Sequence, residues 1–167
     1  MQQLCIAMEI IKATPEHYDA IWEIFSAVVK PGDTYAFAPD STMNDMMAYW
    51  LGAGMETFLA MDNNEVAGTY FLKPNQVGLG NHIGNCGYMV HPGFRGKGIG
   101  SLLCQHSIKM ATAMGYKGIQ FNFVVSSNAT AVKLWQKHGF SVIGTTPNGF
   151  RHQQLGLVDT YIMYRAL

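Results

Sequence analysis

Apolar positions along this chain of 167 residues recur with two periods, which together predict the order of its helices and strands. Apolar residues three and four apart indicate amphipathic helices, and short apolar runs bounded by Gly, Pro or Asn indicate strands. The predicted helices span residues 15–29, 42–51, 99–114 and 129–138. The predicted strands span residues 4–13, 56–61, 66–72, 83–90, 118–125, 140–145 and 154–164. This order predicts an α+β protein, a mixed sheet with helices on both faces.

Local signals support several of these boundaries. Thr14 and Pro15 are typical of a helix start, Asn128 caps the last helix, and Gly115 and Gly139 end the third and fourth helices. No repeat, low-complexity tract or linker interrupts the pattern. We therefore expect one domain over residues 1–167, with residues 1–7 as a short extension.

Composition favours a globular protein, since 49% of the residues are hydrophobic. No apolar run reaches the ~18 residues that a membrane helix needs. The first residues carry neither a basic leader nor a small-residue cleavage site, so we expect a cytoplasmic protein without a membrane partner. Cys5, Cys86 and Cys104 are odd in number and lack C-x-x-C spacing. That pattern argues against a disulfide framework and a zinc site, and we expect no metal.

Charge is divided unevenly along the chain although the net charge is zero. Residues 1–65 contain ten acidic and two basic residues, whereas residues 66–158 contain eight basic residues and no acidic one. The second part would therefore attract a polyanion, and the first part could meet an amine. Nucleic acid is not expected as the polyanion, because no basic run with interleaved aromatic residues occurs.

A glycine-rich segment, Arg95-Gly96-Lys97-Gly98-Ile99-Gly100, joins the strand at 83–90 to the helix at 99–114. Glycines let the backbone approach a ligand, and the first turn of a helix leaves N–H groups free for an anion. Ser101 stands where a dinucleotide fingerprint needs its third glycine, and Lys97 is not followed by the Ser or Thr of a Walker loop. We expect a phosphate or pyrophosphate cradle that belongs to neither nucleotide motif.

Two motifs together carry a family resemblance. The first is Arg-x-x-Gly-x-Gly from Arg95, and the second, about 33 residues later, is Asn128-Ala129-Thr130-Ala131-Val132-Lys133-Leu134-Trp135-Gln136-Lys137-His138-Gly139-Phe140. In this order and spacing they resemble the signatures of the GCN5-related N-acetyltransferases. The resemblance implies a mostly antiparallel central sheet that is splayed at the strand before the glycine loop, with helices on both faces.

The same resemblance implies acetyl-CoA as cosubstrate. The splayed strand would admit the pantetheine arm, with backbone contacts from Met89 and Val90, and the Val90 N–H would polarise the thioester carbonyl. Asn128 would contact the arm or an ordered water while also capping its helix. The pyrophosphate would be surrounded by Arg95, Gly96, Lys97, Gly98, Ile99, Gly100 and Ser101. The Lys97 side chain either contacts a phosphate or is solvated.

The reaction that the resemblance implies is direct attack by a neutral amine, which requires a proton acceptor. Many family members carry a Glu before the loop as general base, but residues 84–88 hold no carboxylate. Trp135 stands where many members carry a Tyr as general acid, and an indole cannot do that work. His82 and His91 are the alternative bases, and Tyr161 and Tyr164 the alternative acids.

Three asparagines, Asn85, Asn122 and Asn128, precede or flank the expected cleft. This set resembles the fungal and bacterial branch that acetylates azetidine-2-carboxylate and related imino or amino acids. An amide cannot act as a base at neutral pH, but it can hold an amine, a carboxylate or a water in line. Asn85 either faces the substrate or forms a bulge on the splayed strand. Asp33 and Tyr35 lie on the early irregular loop and are further candidates for substrate contact.

The sequence thus predicts an N-acetyltransferase that acts on a small-molecule amine, most simply an amino or imino acid. Alternatives are a polyamine, a protein N-terminus or a lysine as acceptor, or a coenzyme A binding protein without catalysis. Arg151 is the cation available in the chain for a substrate carboxylate. Dimerisation is common in the family, and the apolar content of the chain is compatible with a homodimer.

Overall fold

The structure is a computed structural model that describes residues 8–167. The helices are α1 (Tyr18–Val29), α2 (Met43–Trp50), α3 (Ile99–Ala113) and α4 (Ala129–Lys137). The strands are β1 (Glu9–Lys12), β2 (Glu56–Asp62), β3 (Glu65–Pro74), β4 (Ile83–Val90), β5 (Gly118–Val125), β6 (Ser141–His152) and β7 (Gly156–Ala166). Short 3₁₀ turns cover Pro15–His17, Gly78–Gly80 and Pro92–Phe94. The element order is the one that the sequence predicts.

The seven strands form one sheet in the order β1-β2-β3-β4-β5-β7-β6. Neighbouring strands are antiparallel except β4 and β5, which are parallel. Only two residue pairs join β4 to β5, Ile83 with Gly118 and Gly84 with Ile119. Beyond them the two strands diverge, which confirms the prediction of a mostly antiparallel sheet that is splayed at the strand before the glycine loop.

The helices cover the two faces of the sheet. Ile21, Phe25 and Trp50, from α1 and α2, are fully buried in one apolar cluster with Met89 of β4. The opposite cluster joins α3 and α4 to Tyr88 of β4, which points the other way because side chains alternate along a strand. Strand β4 therefore runs through the middle of the molecule and separates the two cores.

The loop between α1 and α2 is fixed against the end of β6. The N–H of Gln153 donates to the carbonyl oxygen of Gly32 at 3.1 Å. Gly32 has a φ of 64°, which favours glycine, and a Cβ there would overlap the side chain of Gln153. Both the backbone conformation and the close contact therefore require glycine at this position. This contact connects the loop that carries Asp33 and Tyr35 to the end of β6.

Several predicted boundaries need correction. Residues 15–17 form a 3₁₀ turn, and α1 begins only at Tyr18. Strand β6 extends to His152 instead of ending near residue 145, because it pairs with β7 as a long hairpin. The Pro147-Asn148-Gly149 stretch, which resembles a loop signal, is an irregularity within this pairing, with Asn148 at a φ of 53°. Of the strand predicted over residues 4–13, residues 1–7 lie outside the described part. Within residues 8–167, no helix has the length and apolar content to cross a membrane.

Candidate active site

The glycine loop adopts the backbone conformation that an anion cradle needs. Gly96 and Gly98 have φ values of 77° and 80°, and no atom lies within 4 Å of a Cβ built at either residue. Glycine is therefore required there by conformation, not by crowding. Gly98 precedes α3, and no side chain caps that helix start. The first N–H groups of α3 lack intrahelical partners and carry the positive end of the helix dipole.

Cationic and polar side chains surround this helix start. Arg95 and Lys97 are exposed, and the Lys97 ammonium lies 4.7 Å from the centre of the Phe94 ring. The hydroxyl of Ser101 lies 2.8 Å from Nε2 of His138, at the end of α4. Burial, together with the charges of Lys137 and Arg165, lowers the pKa of His138. The glycine loop thus has two exposed cations and, next to it, a hydrogen-bonded pair of side chains.

Beyond its two pairs with β5, strand β4 has an unpaired edge, which faces the gap between the two diverging strands. Alternate peptide groups of β4 point into this gap. The N–H of Tyr88 donates to the hydroxyl oxygen of Tyr35 at 3.0 Å, and that hydroxyl donates to the carbonyl oxygen of Tyr88. The N–H of His91, in contrast, donates to Ala67 of β3 at 2.9 Å. Because hydrogen-bonding direction alternates along an antiparallel strand, the peptide groups of Tyr88 and Val90 face the gap and those of Met89 face β3. The structure therefore brings the backbone of Val90, but not that of Met89, to the gap.

A cavity of about 110 Å³ fills the widening gap between β4 and β5. Cys86 and Tyr88 of β4 and Phe121 of β5 form its inner walls, and Asn128 and Trp135 line it on the α4 side. The Oδ1 of Asn128 accepts the N–H of Ala131 at 3.3 Å, so the predicted cap exists and the side chain also borders the cavity. The Trp135 ring centre lies 4.7 Å from that of Tyr88.

A second, more open groove of about 320 Å³ lies beside this cavity. Phe37, from the α1–α2 loop, and Phe150 and Arg151, from β6, line it. Tyr35 and Phe123 border both spaces, so the groove and the cavity adjoin at these two side chains. Phe123 was not predicted, because it lies in a bulge of β5 between Phe121 and Val124 that the alternating pattern does not reveal.

Comparison with known proteins decides the family. The model of the acetyltransferase (GNAT) family matches residues 15–140, which include the glycine loop and the α4 segment. The chain belongs to the GNAT family. This confirms the resemblance carried by the two motifs.

Individual relatives agree with this assignment. N-acetyltransferase aca1 of Schizosaccharomyces pombe is 36% identical over 98 residues, 57% of this chain, and the match spans 46% of the length of aca1. The structure of a GCN5-related N-acetyltransferase from Kribbella flavida is 38% identical, with a TM-score of 0.91 over 96% of this chain and 98% of that one. The structure of yncA from Salmonella typhimurium with its cofactor acetyl-CoA shares the fold, with a TM-score of 0.84, 22% identity and coverage of 96% and 94%.

Other predicted substrate contacts lie outside the two spaces of this GNAT site. The Nδ2 of Asn85 donates to the carbonyl oxygen of Gln120 at 2.9 Å, next to the last β4–β5 pair. The Nδ2 of Asn122 donates to Oδ1 of Asn75 at 2.7 Å. Neither residue, nor Asp33, lines the cavity or the groove. Of the four predicted substrate contacts, Tyr35 is the one that lines both.

The candidate acids and bases are likewise separate from the cavity. Nδ1 of His91 accepts the N–H of Gly93 at 3.0 Å, and its Nε2 lies 3.5 Å from a carboxylate oxygen of Glu23. His82 is exposed just before β4, at the end where β4 and β5 still pair. Tyr161 packs against the core under α3 and α4, and Tyr164 lies over Gly118. None of these four residues lines the cavity or the groove.

Two cysteines are buried near the site, whereas Cys5 lies outside the described residues. Burial raises the pKa of Cys86 and of Cys104 to about 12. Cys86 borders the cavity but is a neutral thiol at physiological pH, and a thiol is a much weaker nucleophile than a thiolate.

Proposed function

We propose that this GNAT chain transfers the acetyl group of acetyl-CoA to the amine of a small molecule, an amino or imino acid. The observation that carries this proposal is that the cavity in the gap between β4 and β5, next to Tyr88, adjoins the groove at Tyr35. A donor can therefore enter at one end and an acceptor at the other.

The donor would be held mainly by backbone groups. The free N–H groups of Ile99, Gly100 and Ser101 suit a pyrophosphate, and Arg95 and Lys97 add charge. The gap-facing N–H and C=O of Val90 suit the amides of the pantetheine arm, which would take the place of a strand partner. Asn128, on the opposite wall, offers its remaining amide hydrogens to the arm or to the thioester oxygen.

The acyl transfer would be direct. The amine nitrogen forms a bond to the thioester carbon, the carbon–sulfur bond breaks, and coenzyme A leaves as a thiolate. The neutral thiol of Cys86 does not favour an acyl-cysteine intermediate. None of the residues that line the cavity or the groove carries a carboxylate. We therefore propose that water accepts the proton of the attacking amine. The side chains would contribute by orienting the two reactants.

Charge in the groove favours an acceptor with a carboxylate. Arg151 is a permanent cation there, and Phe37, Phe123 and Phe150 offer an apolar wall for the rest of the molecule. A polyamine would instead meet a like charge without a compensating carboxylate. A peptide N-terminal residue has an amide in place of the free carboxylate and could form only a polar contact with Arg151. The free amino or imino acid therefore fits the groove best.

Thiol release from acetyl-CoA tests this proposal across amino acids, imino acids, their amides and polyamines. We expect turnover with the free acids. Arg151→Gln should raise the KM for a free acid on the order of tenfold, the value of a lost charged hydrogen bond, and leave the KM of the amide unchanged. Lys109→Gln, an exposed cation on α3, is the matched control and should change neither value.

Three outcomes contradict the proposal. Preference for polyamines, or equal effects of Arg151→Gln on acids and amides, would reject the acceptor class. Tight binding of acetyl-CoA without thiol release on any amine would favour a non-catalytic coenzyme A binding protein.

A further inference from the structure

The hydroxyl of Tyr35 takes the place that a neighbouring strand would have at Tyr88. It accepts the N–H of Tyr88 at 3.0 Å and donates to the carbonyl oxygen of the same residue. These are the groups that β5 would pair with if it had not diverged. The phenol therefore lies on the open edge of β4, one gap-facing residue away from Val90.

The ring of Tyr35 is held rigidly in this position. It stacks on Phe37 with a centre distance of 5.6 Å and an angle of 7°, and it meets Trp50 edge to face at 6.2 Å. The loop that carries it is fixed through Gly32 and Gln153. The packing of the ring and the hydrogen bond of the loop thus hold the hydroxyl against the peptide groups of Tyr88.

Tyr35 also lies where the two ligands would meet. It lines the cavity and the groove, as does Phe123, but Phe123 has no polar side-chain atom. Of the two residues that border both spaces, Tyr35 is therefore the one with a side-chain atom to which an amine could form a hydrogen bond.

The hydrogen bonds of Tyr35 determine what it can offer to that amine. Its one proton is committed to the Tyr88 carbonyl, and one lone pair accepts the Tyr88 N–H. Burial raises the pKa of Tyr35 far above neutral pH, so the phenol stays protonated. One oxygen lone pair remains, and a lone pair can accept a hydrogen bond but cannot donate one.

We propose that Tyr35 is the amine-binding residue of this chain, an inference that rests on the proposed function. Its oxygen accepts a hydrogen bond from an N–H of the neutral acceptor amine. That contact would turn the nitrogen lone pair toward the thioester carbon of acetyl-CoA bound in the gap beside β4. Tyr35 thereby orients the nucleophile and does not exchange a proton with it.

The test is Tyr35→Phe, which keeps the ring and removes the oxygen. Tyr49→Phe is the matched control, because Tyr49 stacks on the same Phe37, with a centre distance of 5.0 Å, and reaches neither cavity nor groove. For Tyr35→Phe we expect kcat/KM for the acceptor to fall on the order of threefold to tenfold, the value of one neutral hydrogen bond. The Kd of acetyl-CoA, measured by calorimetry, should stay within about twofold, because Val90 and the glycine loop hold the donor. Tyr49→Phe should change neither quantity.

The pH dependence separates orientation from other roles. If Tyr35 only orients the amine, the pH profile of kcat/KM keeps its shape in Tyr35→Phe and is lowered at every pH. Loss of one limb of the profile would show that Tyr35 transfers a proton and would overturn the inference. An unchanged kcat/KM, or a loss that follows a weaker Kd of acetyl-CoA, would overturn it as well.

The failure of this inference can be told from that of the proposed function. If the unmodified protein turns over amines and Tyr35→Phe does so equally well, only the role of Tyr35 is rejected. If the unmodified protein releases no thiol with any amine, the proposed function is rejected and the role of Tyr35 with it.

Discussion

The side-chain nitrogen of Asn85 lies 2.9 Å from the main-chain oxygen of Gln120, at the point where β4 and β5 stop pairing. The amide continues the connection between the two strands by one more hydrogen bond after the backbone pairs end. It therefore lies at the origin of the gap and not at its open end. This position connects Asn85 to the shape of the cavity without a contact to the acceptor.

Asn85→Ala should destabilise the protein and slow the reaction. The lost hydrogen bond costs about 1 kcal/mol, which lowers Tm by about 2–4 °C in a protein of this size. We expect turnover to fall far more than the affinity for acetyl-CoA, because the loss changes the shape of the cavity next to Tyr88 and leaves the glycine loop unchanged. Thermal unfolding and steady-state kinetics measure the two effects. Asn122→Ala, an exposed amide bonded to Asn75, is the control and should stay near the unmodified protein. Unchanged turnover in Asn85→Ala would remove this residue from the site.

Two glycines with the same backbone conformation allow a matched test of the cradle. Gly98 and Gly54 have φ values of 80° and 81°, and neither has an atom near a built Cβ. Replacement by Ala should cost about 1–2 kcal/mol of stability at either position, because both force a left-handed conformation on a residue with a Cβ. Only Gly98→Ala should also raise the Kd of acetyl-CoA, because Gly54 lies between α2 and β2. Equal Kd values in the two variants would reject the cradle as the donor site.

Charge at the cradle can be separated from strain. Gly98→Asp should abolish detectable binding of acetyl-CoA, because it adds a carboxylate beside the expected pyrophosphate. Gly98→Asn has a side chain of the same shape without the charge, and Asn tolerates the left-handed region better than most residues. We expect titration calorimetry to show weakened but measurable binding for Gly98→Asn. If both variants bind equally, no anion is held at this loop.

Stability should fall as the pH decreases through the range in which histidines protonate. Burial lowers the pKa of His106, whose Nδ1 lies 2.8 Å from the hydroxyl of Tyr70, and Lys109 lowers it further. A histidine whose pKa is lower in the folded state binds its proton more readily when unfolded. The stabilisation is therefore complete above the unfolded pKa of about 6.5 and is lost below it, toward the folded value. The lowered pKa of His138 acts in the same direction.

Thermal unfolding at pH 7.5 and pH 5.5 measures this dependence. His106→Gln should lose less Tm between the two pH values than the unmodified protein does. His82→Gln, a replacement of an exposed histidine, should show the full loss. The same loss in all three proteins would mean that other groups cause the acid sensitivity.

The conformation of the glycine loop and the start of α4 could be predicted because their signals are local. The loop was predicted from its glycines, two of which, Gly96 and Gly98, have positive φ values in the structure, and Asn128 caps α4 as its position indicated. Element order followed from apolar periodicity for the same reason. Each of these inferences needs only residues that are close together in the sequence.

The acceptor side could not be predicted as well, because it depends on long-range contacts. Tyr35 meets Tyr88 across 53 residues of sequence, through a loop that is fixed to the end of β6. Which peptide groups of β4 face the gap depends on the register with β3, and an error of one residue exchanges Met89 for Val90. The bulge that turns Phe123 toward the groove has no signal in its own sequence.

The short contact between β4 and β5 has a mechanical consequence. Two residue pairs, with the adjacent hydrogen bond from the N–H of Lys117 to the carbonyl oxygen of His82, form the backbone connection between the four strands β1–β4 and the three strands β5, β7 and β6. If the proposed function is correct, the amides of the pantetheine arm would form the hydrogen bonds with Val90 that a neighbouring strand would otherwise form. Donor binding would then join the strands β1–β4 and the strands β5, β7 and β6 into one continuous sheet. The cosubstrate would thereby stabilise, for as long as it is bound, the protein that consumes it.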